Sequence, residues 1–178
     1  MTRRRILKSR HHWLFAALAP ALALGSGATP AATPQTSKEQ ITRLELHLQE
    51  LFNSREFWTH PELATRYYDA PRVRMWDIMP PAEFRGAQAL QDHYHDLVTE
   101  FSSGKIEFLA LEVEADRSVG FATMFQHFTA TSAGKPIDMT MRVTDCLHKV
   151  HGQWLISHEH ISLPIEPAIL NQMIAAKP

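Results

Sequence analysis

Residues 140–164 of this 178-residue chain read TMRVTDCLHKVHGQWLISHEHISLP, two alternating runs around a His151-Gly152 turn. That is the pattern of a β-hairpin. It sets Arg142, Asp145, His158, Glu159 and His160 among apolar and β-branched residues. Charged groups on strands that pack a core are costly unless they are paired or line a cavity, and such conflicts mark functional positions. Arg142 is the first candidate: turned inward, its guanidinium clamps a carboxylate or other anion, or else pairs with Asp77 or Glu159. Asp77 follows Trp76, and a carboxyl against an indole in a partly dry pocket has its acid form favoured. Such a group suits removal of a proton next to a carbonyl; as a turn residue it would instead bind nearby backbone N–H groups. Asp69 competes for the same role.

His158 and His160 are two apart on a strand and project to one face. There they accept protons near neutral pH, with His160 assisting catalysis, or hold the hairpin together, or form half of a metal site with His127 or His93 as third ligand. His93 itself lies on an apolar helical stripe and reads as a core histidine. Glu159 alternates with the two histidines, so it faces the pocket if they face an interface; a bulge near Ser157 reverses that parity. Asp145 has the opposite parity to Arg142 and is expected to pair with Lys149 or a neighbouring subunit. Cys146 is the sole cysteine, so no intrachain disulfide forms; inside a strand it reads as a small buried hydrophobe. Phosphate loops, dinucleotide fingerprints, serine elbows and zinc-protease helices have no match here.

The elements that position these groups follow from periodicity. Thr36 and Ser37 stand at capping-box spacing from Glu39 and Gln40, and Ile41, Leu44, Leu48, Leu51 and Phe52 recur at helical spacing. A short helix starts near Pro61 and another spans 87–101. Strands are expected at 73–79, 83–85, 106–114, 119–131, 137–149 and 154–162. Helices followed by a meander of long strands predict an α+β domain with helices on one face of an antiparallel sheet. Both faces of residues 138–148 carry apolar or neutral side chains, so one face covers the helices and the other meets a partner subunit, giving a homodimer through the sheet.

The N-terminus has its own chemistry. A basic opening, an apolar run of residues 13–24 and small residues at Ser26 and Ala28 make residues 1–28 a secretory signal peptide. Thr2-Arg3-Arg4-Arg5-Ile6-Leu7-Lys8 is close to a twin-arginine signal. Residues 29–37 form a disordered spacer, and 167–178 an apolar tail able to pack against the domain. The expected location is periplasmic or secreted, with no stable membrane anchor after processing. Without residues 1–28 the chain keeps 13 Lys+Arg against 19 Asp+Glu, a formal charge of −6. That balance excludes nucleic acid as a partner.

A family resemblance rests on Trp76-Asp77, Pro80-Pro81 and Phe84-Arg85-Gly86, and more strongly on Arg142-Val143-Thr144-Asp145, Lys149, Gly152, Trp154, His158, His160, Ser162 and Pro164. Over residues 38–166 this order resembles SnoaL-like proteins of the nuclear-transport-factor-2-like and ketosteroid-isomerase-like superfamily, and the association domain of calcium/calmodulin-dependent kinase II. The resemblance implies a cone-shaped curved sheet around N-terminal helices, an interior pocket with Arg142 pointing into it, and dimerisation through the sheet. It also implies activity without a cofactor: members isomerise steroids, cyclise polyketides or open epoxides, while others only bind or assemble. Asp77, Arg142 and His160 then form the catalytic set. Trp76, Asp69, Tyr68, Tyr94, His158 and Glu159 line the pocket, with Tyr68 or Tyr94 supplying a phenolic oxyanion donor. The ligand is a small carbonyl or anionic compound; the alternative is a non-catalytic ligand-binding or assembly module.

Overall fold

The computed structural model describes residues 35–175; the expected export segment and most of the spacer lie outside them. Helix α1 runs Ser37–Phe52 and starts on the capping box expected of its spacing: the Glu39 N–H donates to Thr36 Oγ1 at 3.2 Å, and the Thr36 N–H to Glu39 Oε2 at 2.8 Å. The face that turns inward carries Ile41, Glu45, Leu48 and Leu51. Helix α2 (Arg55–Thr59) and a 3₁₀ helix (Pro61–Tyr67) follow, then strands β1 (Arg74–Trp76) and β2 (Glu83–Arg85) and helix α3 (Gly86–Glu100). Four strands complete the domain: β3 (Phe101–Ala115), β4 (Val119–Ser132), β5 (Lys135–Val150) and β6 (Gln153–Ser162). The C-terminal helix α4 (Pro167–Ala175) is exposed along its length. Its apolar residues do not pack on the domain as expected of the tail; Met173 and Ile174 stay 57% and 60% exposed. Among the described residues no helix is long and apolar enough to cross a membrane.

The strands form one curved six-stranded sheet in the order β2-β1-β6-β5-β4-β3. It is mixed, not wholly antiparallel, because β1 runs parallel to β6. Hairpins force antiparallel neighbours only between consecutive strands; β1 and β6 are separated by α3 and the whole meander. The β4–β5 and β5–β6 turns place Ala133-Gly134 and His151-Gly152 at positive φ, the backbone that matches the twist of a tight hairpin. Three irregularities interrupt the ladders: one between Phe101 and Ser103, one between Leu109 and Glu112, and one that leaves Ser157 unpaired between Ile156 and His158. Bulges increase local twist and bend a strand, and here they lie in strands that curve over the helices.

Edge strand β3 is held by amide side chains from the helix it covers. Asn53 Nδ2 donates to the Ile106 carbonyl and Asn53 Oδ1 accepts from the Ile106 N–H, both at 2.8 Å. Gln49 Oε1 accepts from the Phe108 N–H at 2.6 Å. These bonds satisfy backbone groups that an edge otherwise leaves open. Asn53→Ala leaves both Ile106 groups without partners, and the expected cost is about 1–3 kcal/mol, read as a lower urea midpoint with unchanged m-value.

Candidate functional site

Between the inner face of the sheet and the helices lies a cavity of ≈ 80 Å³. Its walls are largely apolar, with aromatic side chains from several elements: Phe52 from α1, Trp58 from α2, Phe108 from β3 and Phe128 from β4 among them. Gly104 makes room for the indole, since a Cβ there would stand 2.7 Å from the Trp58 ring. A cavity of this character takes a small, mostly apolar molecule oriented by a few polar groups.

The polar groups are mostly carboxyls and phenols, with Lys105 and Gln126 beside them. Tyr68, Tyr94, Asp77, Asp145 and Glu159 all line the cavity. Tyr68 is fixed at the end of the 3₁₀ helix by a bridge to Ile156. Tyr94 stands on the buried face of α3, edge-on to Phe57 at 5.9 Å. Asp145 shares the inner face of β5 with Met141, Val143 and Leu147. On β6, Trp154 and Ile156 point inward, the bulge at Ser157 shifts the alternation by one residue, and Glu159 is the next inward side chain. The result is a chain of hydroxyls ending on a carboxyl: Tyr94 donates to the Tyr68 hydroxyl at 2.6 Å, and Tyr68 donates to Glu159 Oε2.

Burial governs the charge states. It pushes Glu159 up to about 7, opposed by the Tyr68 hydrogen bond and reinforced by the charge of Asp77. Behind Asp145 stands Glu45 of α1, fully buried and pushed up to about 8 by desolvation first and the charge of Glu159 second. Asp145 is raised well above the usual carboxylate range by burial and by both glutamates. As carboxylates, both Glu45 oxygens and Asp145 Oδ1 have no donor among the described residues; one proton held between the two groups supplies a hydrogen bond that each lacks. Burial likewise raises both tyrosines, keeping them phenolic. Asp77 accepts the Met79 N–H on Oδ1 at 2.7 Å, as expected of a turn carboxylate, and its Oδ2 lies 3.5 Å from His93 Nε2. His93 is a buried core histidine whose pKa is lowered by desolvation, against the pull of Asp77 and Asp96.

Several expected site residues lie elsewhere. Arg142 is exposed on the outer face of β5, because the inner face belongs to the odd-numbered residues of that strand. The expectation of an inward guanidinium fails on strand parity, and Asp145 takes the interior position instead of pairing with Lys149. Lys149 donates to Gln40 Oε1 at 2.9 Å, as does the Trp154 indole. His160 is exposed, on the opposite side of the sheet from the cavity. With His158 it flanks Trp76 edge-on at 5.3 and 4.9 Å, and His158 Nδ1 bonds the Arg74 carbonyl at 2.7 Å. Trp76 is 38% exposed, so the indole faces away from the cavity that Asp77 lines. Asp69 is buried but structural, bound by His148 Nε2 at 2.7 Å with its carbonyl accepting the Arg72 and Val73 N–H groups. Cys146 is half-exposed on the outer face, not in the core. Among the described residues no group of three His, Cys, Asp or Glu side chains is arranged to hold a metal ion. Glu45 was legible only as a charge interrupting the apolar face of α1 between Ile41 and Leu48.

The helices and the curved mixed sheet match known proteins. The model of the SnoaL-like domain matches residues 62–166. The chain belongs to the SnoaL-like family. Its fold is the nuclear-transport-factor-2-like one, as three solved structures illustrate. An NTF2-like protein of unknown function from Pseudomonas putida is 19% identical, with 73% of this chain and 88% of that one covered and a TM-score of 0.62. A protein described as a candidate calcium/calmodulin-dependent protein kinase II association domain, from Xanthomonas campestris, is 20% identical over 76% of this chain and 94% of its own, at 0.63. A candidate scytalone dehydratase from Novosphingobium aromaticivorans is 13% identical over 71% of this chain and 83% of its own, at 0.60. At these identities the likeness is one of fold. No curated protein matches this SnoaL-like chain. The matched segment begins after α1, so Glu45 lies outside it.

Proposed function

We propose that this SnoaL-like protein is a cofactor-independent acid–base catalyst acting on a small carbonyl compound, in reactions of the isomerase, cyclase or dehydratase type. The observation that carries the reading is Glu159: a carboxyl on the cavity wall, pushed up to about 7 and hydrogen-bonded by a phenol. A group poised near the working pH both takes and returns a proton efficiently. Asp77 is a second carboxyl on the same cavity, and a pair of carboxyls in different environments divides the acid and base roles. Two neutral phenols in a low-dielectric site stabilise an enolate oxygen once Glu159 has taken the proton, because the hydrogen-bond chain can then run from Glu159 through Tyr68 to Tyr94 and into the cavity. The anion-binding form of this function is dropped, since Arg142 faces outward. The test is deuterium exchange at the α-carbon of small cyclic ketones in D₂O, followed by NMR. Protein-dependent exchange supports catalysis. Ketone binding without exchange supports the non-catalytic ligand-binding alternative, which the full commitment of both phenolic hydrogens in the resting chain favours.

The proposal includes export to the periplasm or beyond, on the strength of residues 1–28, and a homodimer through the outer face of the sheet. Phe121, Phe125 and Leu109 are 42%, 45% and 40% exposed on that face, and Phe125 is paired in register with both Leu109 and Arg142. Exposed apolar side chains grouped in this way mark association surfaces. Phe125→Glu is expected to convert a dimer to a monomer in sedimentation velocity while leaving the circular dichroism spectrum unchanged; a wild type that sediments as a monomer at micromolar concentration sinks the dimer.

A further inference from the structure

The deep end of the cavity points to a ligand with a positively charged or N–H-rich head. Three carboxyls line the cavity, Asp77, Asp145 and Glu159, and a fourth, Glu45, backs onto Asp145. The only cationic side chain among the lining residues is Lys105, which is exposed. His93, 3.5 Å from Asp77 Oδ2, is held toward its neutral form by burial. Asp145 is 2% exposed, and its Oδ1 has no donor among the described residues. A buried acceptor of this kind is expensive to leave unpaired. The remaining wall is largely apolar and includes Phe52, Trp58 and Phe128, and aromatic faces attract ammonium groups as well as apolar bodies.

We propose that the cavity recognises a small organic ammonium compound, its charged head hydrogen-bonded to Asp145 and its apolar body packed against Phe52, Trp58 and Phe128. The proposal rests on the reading of this cavity as a ligand site and adds the class of compound; it does not require turnover. An ammonium hydrogen takes the place of the proton shared by Glu45 and Asp145. The titratable groups on the cavity wall around that head are Tyr68 from the 3₁₀ helix, Asp77 after β1, Tyr94 from α3, and Asp145 and Glu159 from the last two strands, with Glu45 of α1 behind Asp145 and His93 of α3 beside Asp77. A cation among them favours the ionised carboxyls, so binding expels protons into solvent and tightens as pH rises from 6 to 8 while the amine stays charged.

The experiment is isothermal titration calorimetry of the folded protein with benzylamine, benzyl alcohol and benzoate, in buffers of different ionisation enthalpy. The expected result is that benzylamine binds at least about tenfold more tightly than benzyl alcohol, a difference of one decade in Kd, that benzoate does not bind, and that amine binding releases protons. Asp145→Asn is expected to remove the preference for the amine. If that variant fails to fold, proton release by the wild type decides the matter. Equal binding of the alcohol, tighter binding of benzoate, or amine binding without proton release overturns the proposal. Ketone exchange that depends on Glu159 survives each of those outcomes, so the catalytic reading and this one fail separately.

Discussion

Glu159→Gln lowers α-proton exchange of a bound ketone by at least about a hundredfold, the usual contribution of a positioned acid–base group. Glutamine keeps the shape and an acceptor for the Tyr68 hydroxyl, so the hydrogen-bond chain from Tyr94 survives and folding is little affected. What is lost is the exchangeable proton. The pH profile separates this from a packing effect. In the wild type the exchange rate climbs as Glu159 ionises near pH 7, and in the glutamine variant that inflection disappears. Tyr68→Phe has a smaller effect of a distinctive kind. The phenol lowers the Glu159 pKa, so its removal moves the inflection to higher pH. Exchange that is unchanged in Glu159→Gln, with its inflection intact, places the proton transfer on another group, and Asp77 and Asp145 are then the remaining carboxyls on the cavity.

The second large effect is on stability. Melting temperature falls as pH is raised from 5 to 8, and Glu45→Gln flattens the decline. The direction follows from the raised carboxyls. Glu45 and Glu159 hold their protons up to about 8 and about 7 in the folded protein, against 4.5 as the ordinary value. Between those limits the folded state binds protons that the unfolded chain has released, so the stabilisation is complete below about pH 4.5 and is lost as pH rises through the folded values. For Glu45 alone this amounts to something on the order of 4 kcal/mol at pH 8. In a domain of this size that corresponds to roughly 10 °C. At pH 5 the neutral glutamine and the protonated glutamate are nearly equivalent, and the variant melts with the wild type. At pH 8 it melts higher, because an amide costs less to bury than a carboxylate and can donate to Asp145. A wild-type melting profile that is flat between pH 5 and 8 rules out the buried-acid arrangement.

These interior acids also show how far local pattern reaches. The capping box at Thr36 and Glu39, the two tight hairpins, the long strands and the apolar stripe of α1 all follow from short-range chemistry, and the α+β order follows from them. So does the core placement of His93. Strand parity does not carry over in the same way. In β5 the inner face belongs to Asp145 and its odd-numbered neighbours, and Arg142 looks outward. The inner face carries Met139, Met141, Val143 and Leu147 and the outer face Asp138, Thr140, Arg142, Thr144 and Cys146, so the apolar alternation does mark the inner face, and the charge of Asp145 on it is what the alternation leaves unexplained. In β6 the unpaired Ser157 puts Glu159 inside together with Trp154 and Ile156. A single extra residue reverses every side chain beyond it.

By itself the sequence determined the family, the order of the long helices and strands and the turns, because each depends on residues close together in the chain. The tertiary structure alone decided the chemistry of the interior. The proximity of Glu45, Tyr68, Asp77, Tyr94, Asp145 and Glu159, drawn from six separate segments, comes from the curvature of the sheet over α1 and α3. Their protonation comes from mutual proximity and loss of water, neither of which has a counterpart in the linear chain.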